Sequence, residues 1–347
     1  MTTPDIRLLD LTDNQEITCP LAQDFPFGFS IALGNFDGVH AAHRKLITTA
    51  IEAANRLSAN GAPTQAAVFF FRAPSGDYIS HAAAEHLNTL EEKLCLFRSC
   101  KLRYAFVADF PSLKDFSACE FISGILQKAC RAKAVSCGYN FRFGKNGAGG
   151  PELLQQAFSD TCTILPRQTI CRNLKGEQME ITISSSTVRK ELQAGNSLSA
   201  AAMLRYPYVI SGEVIHGKKL GRELGFPTAN LAIPTEKILP LCGVYASIVL
   251  VDGDIYFGVS NVGKRPTVDA PSSKVNCETN LLNFSGDLYG KEIRVFLLHY
   301  LRGETAFPDI AALQRTIEQD VINAQAILQN EKSREFVLNI KEYFKKD

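Results

Sequence analysis

Ten cysteines occur in this chain of 347 residues, yet none belongs to a Cys-x-x-Cys pair. That absence removes the simplest zinc and dithiol motifs. Several thiols sit inside apolar runs, such as Cys95 in EEKLCLF and Cys137 in AKAVSCGYNF. They read as buried and reduced, so a reducing cytoplasm is the expected compartment. No run approaches the ~20 apolar residues of a membrane-spanning helix. The formal net charge is only +1, which predicts neither a nucleic-acid surface nor a membrane surface as partner. The first residues, MTTPDIRLLDLTDNQE, are polar and acidic, unlike a secretory or transit signal. Internal repeats and low-complexity tracts are also missing, and nothing in the sequence fixes an oligomeric state.

What is present suffices for two cores. A single core seldom grows beyond ~250–300 residues, so the length predicts two domains. The first half alternates strand and helix. FSIALG (29–34) reads as a strand, and Leu46, Ile47, Ala50, Ile51, Ala54 and Leu57 after it have helical spacing. TQAAVFFF (64–71), YAFVADF (104–110), AKAVSCGYNF (132–141) and CTILP read as further strands. Helices are expected at EEKLCLFRSC, DFSACEFISGILQKACRA and GPELLQQAF. This order predicts an α/β fold, a doubly wound parallel sheet whose ligand lies beyond the strands' carboxyl ends. The segments GNFDGVH and GYNFRFG stand at such ends.

From about residue 205 the pattern changes to short strands with turn signals. GVYASIVLV and IYFGVSNVG flank Asp252-Gly253-Asp254, a hairpin signal. VNCETNLLNF and EIRVFLLHYLR flank a loop with Ser285-Gly286. A small antiparallel barrel or sandwich is expected, followed by two amphipathic helices through Ile310–Leu328 and Phe336–Phe344. A linker is expected between about 188 and 205.

Four stretches carry chemistry. In HGKKLGRELGFPTANL (216–231), Gly217, Gly221 and Gly225 allow close backbone approach, and Lys218, Lys219 and Arg222 add positive charge. Thr228 and Asn230, two residues apart on a strand, present hard oxygens suited to Mg²⁺ beside phosphates. The plain alternative is a glycine-rich loop with solvated lysines. In LGNFDGVHAAHRKLI (33–47), His40 and His43 share one face at a helix start, where amides and the helix dipole favour anions. The plain alternative for them is packing or a solvated cap. Asn140 offers a donor and an acceptor near a strand end. Ser185, Ser186, Thr187 and Arg189 join hydroxyls to a bidentate phosphate partner, and the same SSST run also suits a helix N-cap. No Cys or His pair completes a zinc site around the histidines.

The basic glycine loop running into Pro-Thr-Ala-Asn closely resembles the riboflavin kinase signature. The resemblance continues through GVYAS (243–247), GVSNVGKRPTV (258–268), CETNLLNF (277–284) and DLYGKEIRVFLLHYLRGE (287–304). It implies a six-stranded barrel with terminal helices at 205–345 that binds riboflavin and MgATP. Thr228 and Asn230 are then implied on the metal and ATP, and Glu278 as the base on the ribityl 5′-hydroxyl; Gly217, Lys218, Gly221 and Arg222 are implied near phosphate. Taken alone, Glu278 would read as a surface strand carboxylate. Asn280 and Asn283 stand where the family commonly has His and Asp.

The same two-domain order occurs in bifunctional riboflavin kinase/FAD synthetases. LGNFDGVHAAHRKLI, CGYNFRFGKNGAGG (137–150) and ISSSTVRKEL (183–192) resemble the three motifs of their nucleotidyltransferase domain, placed here at 14–190. The resemblance implies that Gly34, Phe36, Asp37, Gly38, Asn140, Ser185, Thr187 and Arg189 bind nucleotide, while His40 and His43 serve the transfer. Riboflavin, FMN, ATP and FAD are the implied substrates and products. Two departures stand out: Ala42 replaces the glycine of His-x-Gly-His, and Arg72-Ala73-Pro74 replaces an acidic residue and Pro-His-Pro. The expectation is a bifunctional enzyme. The alternatives are a kinase with a weakened or inactive adenylyltransferase half, and a non-catalytic flavin or nucleotide sensor.

Overall fold

The computed structural model describes residues 6–12, 25–73, 85–174, 177–216, 225–265 and 274–344. The chain divides into two compact units, one of Met1–Ala84 with Lys93–Ile183, the other of Glu85–Glu92 with Ser184–Lys346.

The first unit holds β1 (Arg7–Asp10), β2 (Gly28–Leu33), α1 (Ala41–Ala59), β3 (Thr64–Phe71), the part of α2 (Leu90–Ser99) from Lys93 onward, β4 (Tyr104–Ala108), β5 (Ala132–Gly138), α3 (Pro151–Phe158) and β6 (Cys162–Leu165). Their sheet has the order β1-β4-β3-β2-β5-β6, and every pairing is parallel. β2 is buried at every position, as a central strand covered on both faces must be. Leu46, Ile47, Ala50, Ala53 and Ala54 form the buried stripe of α1, which packs on β2, β3 and β5. From β2 the chain builds β3 and β4 outward on one side, with β1 at that edge, and then returns to build β5 and β6 on the other. The strand order therefore reverses between β2 and β5, where such sheets open a ligand crevice.

Three features differ from expectation. β1 extends the sheet as an edge strand, and β7 (Thr169–Leu174) pairs with β8 (Glu177–Thr182) as a separate hairpin. The stretch expected as one α-helix is a short α-turn, Ala118–Glu120, that continues as a π-helix, Phe121–Ala129. Its apolar side is buried as the pattern requires. Over two turns, burial periodicity does not distinguish the two hydrogen-bond registers.

The second unit is built on a closed barrel. Its strands are β9 (Tyr208–Ile215), β10 (Thr228–Ala232), β11 (Gly243–Val251), β12 (Asp254–Arg265), β13 (Lys274–Leu281) and β14 (Glu292–Arg302). The order around it is β10-β13-β12-β11-β14-β9, closed by pairing of β9 with β10, and all pairings are antiparallel. β11 and β12 meet at the Asp252-Gly253 turn, as predicted. β13 and β14 follow one another in sequence but are not neighbours. The segment expected as a linker is helical: α4 (Ser185–Gln193) and α5 (Ser197–Leu204) occupy it. α5 is nearly uniform in polarity and carries no helical stripe, and α4 buries only Val188 and Leu192, too short a pattern to mark a helix across the segment. The terminal helices are α6 (Ile310–Leu328) and α7 (Glu331–Phe344).

Glu85–Glu92 belongs to this unit for a clear reason. The fully buried Lys237 ammonium donates to the Leu87 carbonyl at 3.2 Å, the Val209 carbonyl at 2.8 Å and Glu92 Oε2 at 2.6 Å. Three donors meet three acceptors, which is what a buried charge requires. Among the described residues, no helix is long and apolar enough to cross a membrane.

Candidate active sites

The loop between β2 and α1 occupies the sheet's switch point. Phe36 (φ 50°), Gly38 (φ 87°) and Val39 (φ 35°) all take left-handed backbone. Only Gly38 does so without cost; a β-branched residue there is a true outlier. Strain of this kind persists where surrounding contacts impose it, typically at ligand sites. The Phe36 ring is fully buried against Phe97 and His43, at 5.4 and 5.1 Å between centroids. Gly34, which follows β2, donates its N–H to the Phe69 carbonyl at 3.3 Å. Asp37 is buried in the same turn.

His40 is the N-cap of α1. Its Nδ1 accepts the His43 N–H at 3.3 Å, and the two rings stack with centroids 3.7 Å apart. Because Nδ1 accepts, the neutral ring carries its proton on Nε2 and can donate it. Burial pushes the pKa of His40 down to about 4. His43 lies well below its ordinary value, first through burial, then through the neighbouring His40 and Lys93. Both rings are therefore neutral near pH 7. The capping alternative and the functional one hold together for His40.

Lys93, which the sequence reading passed over, reaches this loop. It is buried, donates to the Asn35 carbonyl at 3.2 Å and lies over the Phe70 ring at 5.0 Å. The only sequence signal was a lysine among the apolar residues of EEKLCLF.

Asn140 is exposed in the turn that ends β5, beyond the strand that borders β2. Gly144, later in that motif, has φ 73° and a backbone approach that a Cβ would bring to 2.7 Å of the Ala118 nitrogen. Packing alone thus demands this glycine. Arg72, at the end of β3, pairs with Asp10 and donates from Nε to Asp109 Oδ1 at 3.1 Å, all three half-exposed. It ties together the carboxyl ends of three adjacent strands. Pro74 lies outside the described residues.

Ser185, Thr187 and Arg189 lie on α4, which belongs to the second unit. Ser184 caps that helix, accepting the Thr187 N–H at 3.2 Å and sharing a 2.8 Å hydrogen bond with the Thr187 hydroxyl. Arg189 donates from Nε to the Glu85 carbonyl at 2.9 Å.

On the barrel, the register places Asn230 of β10 opposite Glu278 of β13, and Glu278 opposite Asn261 of β12. Thr228 is opposite Asn280 in the next row. Directly paired residues point to the same face, so Thr228, Asn230, Asn261, Glu278 and Asn280 share one surface. Asn280 donates to the Pro227 carbonyl at 2.8 Å, which pins the start of the Pro-Thr-Ala-Asn strand. Asn276, also missed, donates to Asn230 Oδ1 at 3.0 Å and to Glu278 Oε1 at 3.1 Å. The opposite face of these strands is enclosed. It carries Leu231, Val262 and a hydroxyl chain, Ser247 to Ser260 at 2.7 Å and Ser260 to Thr279 at 2.8 Å. Cys277 lies on that side, and burial raises its thiol to about 12. Gly217, Lys218, Gly221 and Arg222 lie outside the described residues.

Among the described residues, no cluster of three His, Cys, Asp or Glu side chains could hold a metal. That does not exclude Mg²⁺ beside nucleotide, which takes few protein oxygens and completes its shell with phosphate and water. The Thr228 hydroxyl and Asn230 Oδ1 on one strand face fit that pattern.

A switch-point loop capped by paired neutral histidines, and a barrel face bearing Thr, Asn and Glu, together define a class: a two-unit nucleotide-dependent transferase. Comparison with known proteins sharpens the class to a family. A family model for FAD synthetase matches residues 23–185, and one for riboflavin kinase matches residues 204–328. The bifunctional riboflavin kinase/FMN adenylyltransferase of Escherichia coli (strain K12) is 35% identical over 301 residues, 86% of this chain and 92% of that protein. Its counterpart in Bacillus subtilis (strain 168) is 33% identical over 295 residues, 84% of this chain and 89% of that protein. The chain belongs to the bifunctional riboflavin kinase/FMN adenylyltransferase family. A crystal structure of a macrolide-efflux protein from Streptococcus pneumoniae also aligns, with a TM-score of 0.76 and 25% identity, over 92% of this chain and 98% of that one. That likeness is one of fold.

Proposed function

We propose that this chain makes FAD from riboflavin in two ATP-dependent steps, with the kinase domain at 205–345 and the adenylyltransferase domain at 14–190. In the first step the ribityl 5′-hydroxyl attacks the γ-phosphorus of ATP, ADP leaves and FMN forms. In the second, an FMN phosphate oxygen attacks the α-phosphorus of another ATP, pyrophosphate leaves and FAD forms. Membership of the bifunctional family supports both reactions.

The observation that carries the kinase assignment is the Asn230–Glu278 pairing, with Thr228 on the same face. Glu278 takes the proton of the attacking hydroxyl. Thr228 and Asn230 would hold Mg²⁺, which supplies charge neutralisation on the phosphates when bound. Phosphoryl transfer asks for little beyond this positioning and neutralisation. Gly217, Lys218, Gly221 and Arg222 supply the phosphate cradle in this reading.

In the adenylyl transfer, the neutral His40 donates from Nε2 to a phosphate oxygen as negative charge develops. His43 orders that ring through its backbone N–H and its stacked face. Gly34, Phe36, Asp37, Gly38 and Asn140 bind nucleotide in this reading, and the family resemblance gives nucleotide-binding roles to Ser185, Thr187 and Arg189 as well. The free thiols among the described residues favour a cytoplasmic enzyme.

Ala42 motivates a second reading, in which the kinase acts and adenylylation is weakened. The test supplies FMN, ATP and Mg²⁺ to wild type and to Ala42→Gly, and follows FAD and pyrophosphate. Bifunctionality predicts equal amounts of both products from wild type. FAD from Ala42→Gly alone would favour the second reading. A sensor without turnover has less support, because binding does not need a base at Glu278.

A further inference from the structure

We propose that Asn276 is a positioning residue of the kinase site, one side-chain amide that holds the base and the metal-side asparagine in a fixed relation. It is buried on β13, two residues before Glu278 and therefore on the same strand face. Its Nδ2 donates one proton to Glu278 Oε1 at 3.1 Å and the other to Asn230 Oδ1 at 3.0 Å.

The chemistry of the partners fixes this orientation. An ionised carboxylate only accepts, so Glu278 must face the Asn276 nitrogen, not its oxygen. That nitrogen can then meet only an acceptor on its other side, so Asn230 must turn Oδ1 toward it. Asn230 Nδ2 is left toward the Thr228 carbonyl, 3.4 Å away. One amide thereby sets the rotamer of Glu278 and the flip of Asn230 together. A side chain that carries a nucleophile's proton must be within hydrogen-bond reach in the right direction. Asn276 supplies that direction without touching the reacting atoms.

This inference rests on the assignment of Glu278 as base and Asn230 on the metal side, and its test separates the two. Riboflavin phosphorylation by the full chain is measured for Asn276→Ala, Glu278→Ala and the double variant, with Mg²⁺ titrated in each. FMN adenylylation and quenching of riboflavin fluorescence on binding report that both units remain folded. Asn276→Ala is expected to lower kcat by about 10- to 100-fold, with KM for riboflavin changed by less than about threefold. The Mg²⁺ concentration for half-maximal rate rises several-fold. In the Glu278→Ala background, the same substitution removes no more than about threefold further at saturating Mg²⁺. A full, additive loss in that background, or a wild-type rate for Asn276→Ala beside an impaired Glu278→Ala, overturns the role of Asn276 alone. A wild-type rate for Glu278→Ala overturns the base assignment and the positioning role with it.

Discussion

His40 and His43 stack nearly parallel, with ring planes 11° apart, while the His40 side chain caps the backbone N–H of His43. Two rings so close repel one another when both are charged, and burial disfavours charge on either. The folded pKa of His40, about 4, lies below its ordinary 6.5, so between those values the unfolded chain binds more protons than the folded one. The stability contribution is complete above pH 6.5 and is lost as pH falls toward 4. His40 alone accounts for a loss of about 2 kcal/mol between pH 7 and pH 5. Urea titrations followed by circular dichroism should show this loss in wild type. In His40→Asn, which keeps a good N-cap residue without the titration, the loss should shrink by about that amount.

Lys93 places a buried cation on the Asn35 carbonyl, inside the strained loop. Lys93→Met removes the hydrogen bond and charge that tie α2 to Asn35, an exposed residue of this loop. FMN adenylylation should fall by roughly 10-fold or more, and riboflavin phosphorylation should stay within about twofold of wild type. Separate initial-rate assays for the two reactions check this. Equal losses in both would assign Lys93 to global stability.

The sheet was legible because its strands are continuous apolar runs and its helices carry clean stripes, as in TQAAVFFF and in Leu46 to Leu57 of α1. The barrel was legible from turns such as Asp252-Gly253. Its closure came from the family resemblance, because the local pattern left barrel and sandwich open and the pairing of β9 with β10 carries no local signal. The helices α4 and α5 were hidden where a linker was expected. At the candidate sites the motif residues could be singled out from the sequence, while Lys93 and Asn276 could not. Both act through hydrogen bonds to neighbours in the fold, which single-residue chemistry does not announce. The cap role of Ser184 and the pinning role of Asn280 likewise needed the geometry.

Thiol reactivity should follow burial. Cys277 and Cys137 are raised to about 12 and Cys162 to about 11, so little thiolate exists at neutral pH. Cys119 and Cys171 are exposed. Iodoacetamide at pH 7.5, read by peptide mass spectrometry, should label Cys119 and Cys171 first among the thiols of the described residues. Cys137, Cys162 and Cys277 should label only after denaturation. Early labelling of Cys277 in the native protein would contradict the enclosed barrel face.

Asn230 should matter through the cation more than through the fold. Asn230→Ala is expected to lower riboflavin phosphorylation by about 10- to 100-fold at low Mg²⁺, with partial recovery as Mg²⁺ is raised. Rate against Mg²⁺ concentration measures this. A loss that no Mg²⁺ concentration relieves would move Asn230 away from the metal.

The most direct test of the account gives the purified chain riboflavin, excess ATP and Mg²⁺, and resolves flavins and phosphates by chromatography over time. The account predicts that FMN rises first and FAD follows, with one ADP and one pyrophosphate formed per FAD. FMN accumulating without FAD or pyrophosphate would contradict the bifunctional claim, and riboflavin left unchanged would contradict the kinase itself.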